Sequence, residues 1–208
     1  MRAGRLAPLK GASVMIAGKS EIFGAGLAML FAGGAAFAGG GEPPNYSVQF
    51  ITPDIDANNA SAMNNAGDVV GTTPYSRAWV SRGGESAVLL PLPLNTEYSF
   101  ANDINEGGMI VGSVNTGPYS WMGKAAAWIP NGEGGYDILQ YGTLPGHPAS
   151  SALALNNVGD VVGYSFTGMF RIPVRFIAPG NIEDLSATGI FDPVSINDQR
   201  VKSRSSAG

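Results

Sequence analysis

One string occurs three times along the chain with its Asn-x-x-Gly core and its last glycine in place. It reads Ala62-Met63-Asn64-Asn65-Ala66-Gly67-Asp68-Val69-Val70-Gly71, then Asp103-Ile104-Asn105-Glu106-Gly107-Gly108-Met109-Ile110-Val111-Gly112, then Ala154-Leu155-Asn156-Asn157-Val158-Gly159-Asp160-Val161-Val162-Gly163. A degenerate fourth start follows at Ser195-Ile196-Asn197-Asp198, so the aligned asparagines lie 41, 51 and 41 residues apart. A period of that size marks propellers, solenoids and other arrays, whose single unit cannot bury its own apolar surface.

Each copy has a local physical reading. An apolar residue, Asn-x-x-Gly and a β-branched pair describe two short strands joined by a tight hairpin. The Asn side chain can hydrogen-bond backbone two residues on and hold the turn, and the Gly supplies the left-handed conformation that the loop requires. Val-Val or Ile-Val re-enters the sheet with side chains on opposite faces, and the final Gly allows a bulge or a close backbone approach.

A second element follows each hairpin: Arg77-Ala78-Trp79-Val80, Ala126-Ala127-Trp128-Ile129 and Val174-Arg175-Phe176-Ile177. A Gly-containing turn and an apolar stretch come next, at Ala87–Leu90, Tyr136–Leu139 and Ile182–Leu185. The spacing predicts four short strands and three turns per unit, the size of a propeller blade, with a large aromatic at one place per unit to pack between sheets. The extra residues of the middle step are assigned to Asn115–Gly123, a loop extension between second and third strands that carries Tyr119 and Trp121.

The fold expected is therefore all-β: repeated four-stranded antiparallel units, β-propeller-like, either incomplete or four-bladed. Tyr46–Ile51 resembles a later strand pair without its hairpin, so both termini can close one unit. A β-trefoil is the alternative, but it accommodates a fourth hairpin start badly. Low charge, 13% of residues, beside Gly 30 and Pro 14 suits short strands and tight turns better than helices, and a 44% hydrophobic fraction argues against disorder.

The start of the chain reads differently. A basic stretch precedes the apolar run at residues 22–38, which ends Ala36-Phe37-Ala38. That order predicts a secretory signal over 1–38 with cleavage after Ala38, a linker at 39–45 and one β-repeat domain over 46–208. The competing readings are an uncleaved anchor, since the run sits at the short limit for spanning, and a start at Met15. Removing residues 1–38 takes away Arg2, Arg5, Lys10, Lys19 and Glu21 and moves the net charge from −4 to −7. So acidic a chain disfavours nucleic-acid binding. With no cysteine, disulfides, thiolate nucleophiles and Cys-ligated metals are excluded.

The Asn-x-x-Gly-x-Val-Val-Gly hairpin, the aromatic strand and Tyr141-Gly142-Thr143-Leu144-Pro145-Gly146 together resemble the HAF family of bacterial extracellular repeats. The resemblance covers residues 46–200 and implies secretion or surface display and repeated β units. It transfers no catalytic residue. The His of the family's His-Ala-Phe strand is replaced by Arg77, Ala126 and Val174, and the fourth hairpin runs on as Gln199-Arg200-Val201-Lys202.

Catalytic spelling is sparse. His147, the only histidine, lies between Pro145-Gly146 and Pro148, a loop setting, and no G-x-S-x-G, P-loop, dinucleotide fingerprint or zinc-protease motif occurs. Asp54, Asp56 and Asn58 resemble the first half of a calcium loop, but lack its glycine at the sixth place and its Glu at the twelfth. Calcium is thus the one cofactor to test, against an ordinary polar turn. The acids Asp68 and Asp160 recur with the repeat, which argues for turn duty. Residues that break the period, namely Tyr119, Trp121, His147 and the Asp54/Asp56 pair, are the candidate contacts. The function expected is a secreted or surface-displayed, non-catalytic β-repeat protein that meets an extracellular ligand or protein partner. The alternative is a secreted hydrolase or lyase acting on glycans.

Overall fold

The computed structural model describes residues 14–17, 48–51, 59–115, 123–167, 170–190 and 192–199. The rest of the expected signal and linker lies outside them, as do Asp54, Asp56, Asn58, Tyr119, Trp121 and residues 200–202 of the fourth hairpin. Val14–Ala17 (β1) and Val48–Ile51 (β2) pair in parallel. All other described strands fall into three units of four.

Unit one comprises Asn59–Met63 (β3), Val69–Thr72 (β4), Ala78–Ser81 (β5) and Val88–Leu89 (β6). Unit two comprises Tyr98–Ile104 (β7), Ile110–Asn115 (β8), Lys124–Pro130 (β9) and Tyr136–Gly142 (β10). Unit three comprises Ala149–Leu155 (β11), Val161–Thr167 (β12), Phe170–Ala178 (β13) and Asn181–Asp184 (β14). Each is an antiparallel meander in sequence order, as the spacing predicts, and no strand of one is laddered to another, which the barrel of a trefoil would require. Among the described residues, no helix is long and apolar enough to cross a membrane.

The motif explains each meander's geometry. Gly67, Gly108 and Gly159 close the first turn of their units at φ 84°, 77° and 88°, where a side chain would be strained. The first strand of every unit is bulged, with register shifts at Ala60/Ala62, Ala101/Asp103 and Ala152/Ala154. The bulge thrusts a carbonyl toward the second strand. A Cβ on Gly71, Gly112 or Gly163 would fall far inside contact distance of the carbonyl oxygens of Asn59, Phe100 and Ser151. The motif's last glycine is therefore the space into which the bulge folds.

The β-branched pair serves two seams at once. Ile110 faces unit one and packs with Val70, Val80, Leu90 and Trp128, while its neighbour Val111 faces unit three and packs with Leu155, Val161 and Phe176. Trp128 also donates its indole Nε1–H to the Pro91 carbonyl of unit one at 2.8 Å. Two buried serines repeat one further link. Ser99 Oγ accepts from Ala78 N and Ser150 Oγ from Ala125 N, both at 2.8 Å. Their own amides donate to Ser76 O and Gly123 O. The sheets are thus joined in series by apolar packing and by the same polar contacts.

Two readings need correction. The turn asparagine bonds to backbone four residues on, not two: Asp68 N, Met109 N and Asp160 N donate to Asn64, Asn105 and Asn156 Oδ1 at 2.9, 2.9 and 2.8 Å. The loop spans four residues, so the amide that comes back into reach is the one opening the return. The aromatics also do not share one register. Trp128 and Phe176 stand opposite Ile110 and Val161, whereas Trp79 stands two residues earlier in its strand, opposite Gly71. A Cβ on Gly71 would meet the Trp79 ring at 2.6 Å, so the indole occupies space that the glycine leaves open. A shift of two keeps the face and changes the row.

Gly112→Ala should lower unfolding free energy by about 3 kcal/mol or more, because the added methyl meets backbone that cannot yield locally. Gly107→Ala, whose Cβ would meet only Asn105 Oδ1 at 3.4 Å, should stay within about 0.5 kcal/mol. Urea denaturation midpoints compare the two, and equal costs would refute the assignment of Gly112 to the bulge.

Candidate functional site

The four hairpin starts converge. Asn64 Nδ2 donates to Asn105 O at 3.2 Å, Asn105 Nδ2 to Asn156 O at 3.1 Å, and Asn156 Nδ2 to Asn197 O at 3.0 Å. Each of the first three asparagines is less than a tenth exposed. A second row runs beside the first. The amide of Asn65 donates to Glu106 carboxylate oxygens, that of Glu106 to Asn157 Oδ1, and that of Asn157 to Asp198 Oδ1. Every unit therefore hands one side-chain donor and one backbone donor to the next.

Together the four hairpins border a cavity of about 330 Å³, which includes Asn64, Asn105, Asn156 and Asn197 in its wall. Its recurring polar groups are already engaged. Asn64 and Asn156 additionally donate to Asp68 and Asp160 Oδ2, both at 3.1 Å. Asp68 Oδ1 accepts from Gly83 N, and Glu106 also accepts from Asn65 Nδ2 at 2.6 Å. The recurring acids hold turns and seams, as their periodicity predicts.

Beside this axis, Arg82 lies over the Tyr136 ring with its guanidinium carbon 4.9 Å from the centroid and donates to Gly134 O at 3.0 Å. Contact with Tyr136, followed by the charges of Asp68 and Glu85, raises its pKa against its own slight desolvation. It bridges the loops of units one and two.

Among the residues that break the period, His147 lies in the loop between β10 and β11, half-buried, its amide donating to Leu144 O at 3.0 Å. Its imidazole Nδ1 is buried without a hydrogen-bond partner. Asp184 is the carboxylate that feels its charge. The Ser186 amide, at 2.7 Å, is the first cause holding Asp184 below the usual range, and His147 the last. Among the described residues, no hydrogen bond joins the His147 imidazole to a nucleophile. Among the described residues, no three His, Cys, Asp or Glu side chains gather as a metal site would need. Tyr119, Trp121 and the Asp54, Asp56 and Asn58 stretch fall outside those residues, so no geometry is assigned to them.

Asp103 is the group that sequence reasoning missed. It stands at the bulge of β7, where units one and three have Ala62 and Ala154. Its Oδ1 accepts from Ile104 N and its Oδ2 from Leu155 N of unit three, both at 2.9 Å, so one carboxylate clamps two sheets. Burial pushes its pKa up, and the two amides only partly oppose that. The signal was available: one acid at a place where the other copies have alanine. Tyr141, packed 5.2 Å from Phe176 in the same seam, has its hydroxyl pushed up to about 12 by burial.

Because the folded-state pKa of Asp103 lies above its unfolded value, the folded chain binds this proton more readily. Its contribution is full below the unfolded pKa and is lost as pH rises through the folded one. Melting temperatures of wild type minus Asp103→Asn, taken from about pH 3 to pH 7, should therefore fall across that interval and then level. A difference that rises with pH would refute the assignment. Comparison with known proteins finds no matching family model, no similar curated protein and no similar solved structure.

Proposed function

We propose that this chain is a secreted or surface-displayed, non-catalytic β-repeat scaffold of the HAF kind. On this reading its units wrap into a four-membered, propeller-like ring, and its end loops meet an extracellular partner. The observation that carries the proposal is the use of the recurring polar residues. The motif that looks most like a signature joins each unit to the next, and its acids are held by donors within turns or across seams.

Burial at the two outer sheets supports the ring. Val69 and Trp79 on the front of unit one are 2% and 0% exposed, and Val162 and Tyr164 on the rear of unit three are 0% and 4% exposed. None of the four belongs to either inter-sheet cluster. Both faces are covered as a fourth layer would cover them. Tyr164 donates to Asp192, and the fourth hairpin borders the same cavity as the other three. The basic, apolar, Ala-x-Ala order of the N-terminus supports export.

Deleting residues 192–208 removes Asp192, Asn197 and Asp198 together. It should lower unfolding free energy by on the order of 3 kcal/mol, from uncovered apolar surface alone. Unchanged urea midpoints would sink the ring. For the activity, the full chain incubated with a panel of polysaccharides should release no reducing ends. Reproducible release, abolished by replacing one Asp or Glu, would instead establish the glycan-active enzyme.

A further inference from the structure

We infer that the end of the array opposite the asparagine hairpins carries a carbohydrate-binding cleft between units one and two, built on Tyr75, Arg77, Glu97 and Tyr98. The inference rests on the scaffold reading above and supplies its ligand class. In an antiparallel meander, the loop from second to third strand leaves the end away from the first hairpin. In unit one that loop runs from Thr73 to Arg77, and beside the start of β7 it borders a cavity of about 420 Å³.

The loop is held rigidly. Thr73 N donates to Arg77 O at 2.8 Å, and Arg77 N to Thr73 Oγ1 at 3.1 Å. Ser76 takes φ 58°, a left-handed conformation that costs a non-glycine residue free energy, and its carbonyl is fixed by Ser99 N of unit two at 2.8 Å. Tyr75 emerges from this turn 74% exposed. Phe170 follows the corresponding loop of unit three and is also 74% exposed. Neither ring contributes to a seam, so their exposure to water is not explained by the scaffold.

The polar groups point to the ligand's chemistry. Arg77 reaches Leu90 O at 3.4 Å through one terminal nitrogen, while its Nε is buried without a partner. Glu97 is exposed and offers acceptors on the same cleft. Two phenol rings, the part of the Arg77 guanidinium not turned to Leu90 and a carboxylate match a sugar, whose ring has an apolar C–H face and whose hydroxyls both donate and accept. A nucleic acid would meet Glu97 and a chain of net charge −7 beyond residue 38. An extended peptide would seek a free strand edge, and this cleft is formed by loops and strand ends.

Isothermal titration of the full chain with cellohexaose, xylohexaose, chitohexaose and hexagalacturonate tests the inference. At least one should bind, with Tyr75→Ala weakening it by about tenfold or more and Tyr75→Phe by less than about threefold, at unchanged melting temperature. No heat from any of the four, or equal affinity in Tyr75→Ala, would overturn the cleft. Either result leaves the reducing-end and truncation outcomes untouched, so failure here is separable from failure of the scaffold.

Discussion

A single side-chain amide does two jobs in this fold, and the array depends on their combination. Asn105 Oδ1 closes its own turn by accepting from Met109 N, and its Nδ2 crosses to Asn156 O in the next unit. Asn64 and Asn156 do the same in their units. The two ends of the amide are a donor and an acceptor set a fixed distance apart. Aspartate would lose the donor and aim an oxygen at a carbonyl, and alanine would lose both contacts. A buried group left unpaired costs about 1–3 kcal/mol, so turn shape and unit spacing are bound to one residue type.

The glycine after Val-Val makes that placement attainable. The bulge in the first strand swings a carbonyl over the second strand, and only a residue without Cβ leaves room for it. Directly after the bulge come the apolar residue and the asparagine, so the bulge also decides which way the hairpin points. In unit two the bulge position carries Asp103, whose oxygens reach Ile104 N and Leu155 N. The same distortion that aims the asparagine at the following unit lets a carboxylate join it there. The motif's letters thus form one mechanical device rather than separate preferences.

Much of this was legible in the sequence. Asn-x-x-Gly and a β-branched pair imply a hairpin by local chemistry, and the meander of four strands follows from the spacing of apolar stretches. The role of the last glycine as a bulge or close-approach site was legible for the same reason. Most of what was not legible depends on neighbours 41 to 52 residues away. The cross-unit half of the asparagine's bonding appears only when hairpins stand side by side. The row of Trp79 was misread because its letters align with Trp128, although pairing opposite Gly71 sets it two residues off. The role of Asp103 shows only where unit three brings Leu155 N to its carboxylate.

The two ends of the array are consequently under different constraints. At the hairpin end the first two residues of each turn are tied to counterparts in the next unit, and a change in either disturbs two turns. Variation there is expensive, and the copies keep nearly the same letters. At the other end the second-to-third strand loops are linked through backbone carbonyls, Ser76 O and Gly123 O, which accept from the Ser99 and Ser150 amides whatever side chain the loop carries. They differ in length and in residue, from Thr73–Arg77 to the longer Thr116–Gly123. Because those links run through backbone carbonyls, a scaffold in series can change loop side chains one at a time without losing them. The repeated string marks what cannot vary, and it directs the search for recognition to the end where the string is absent.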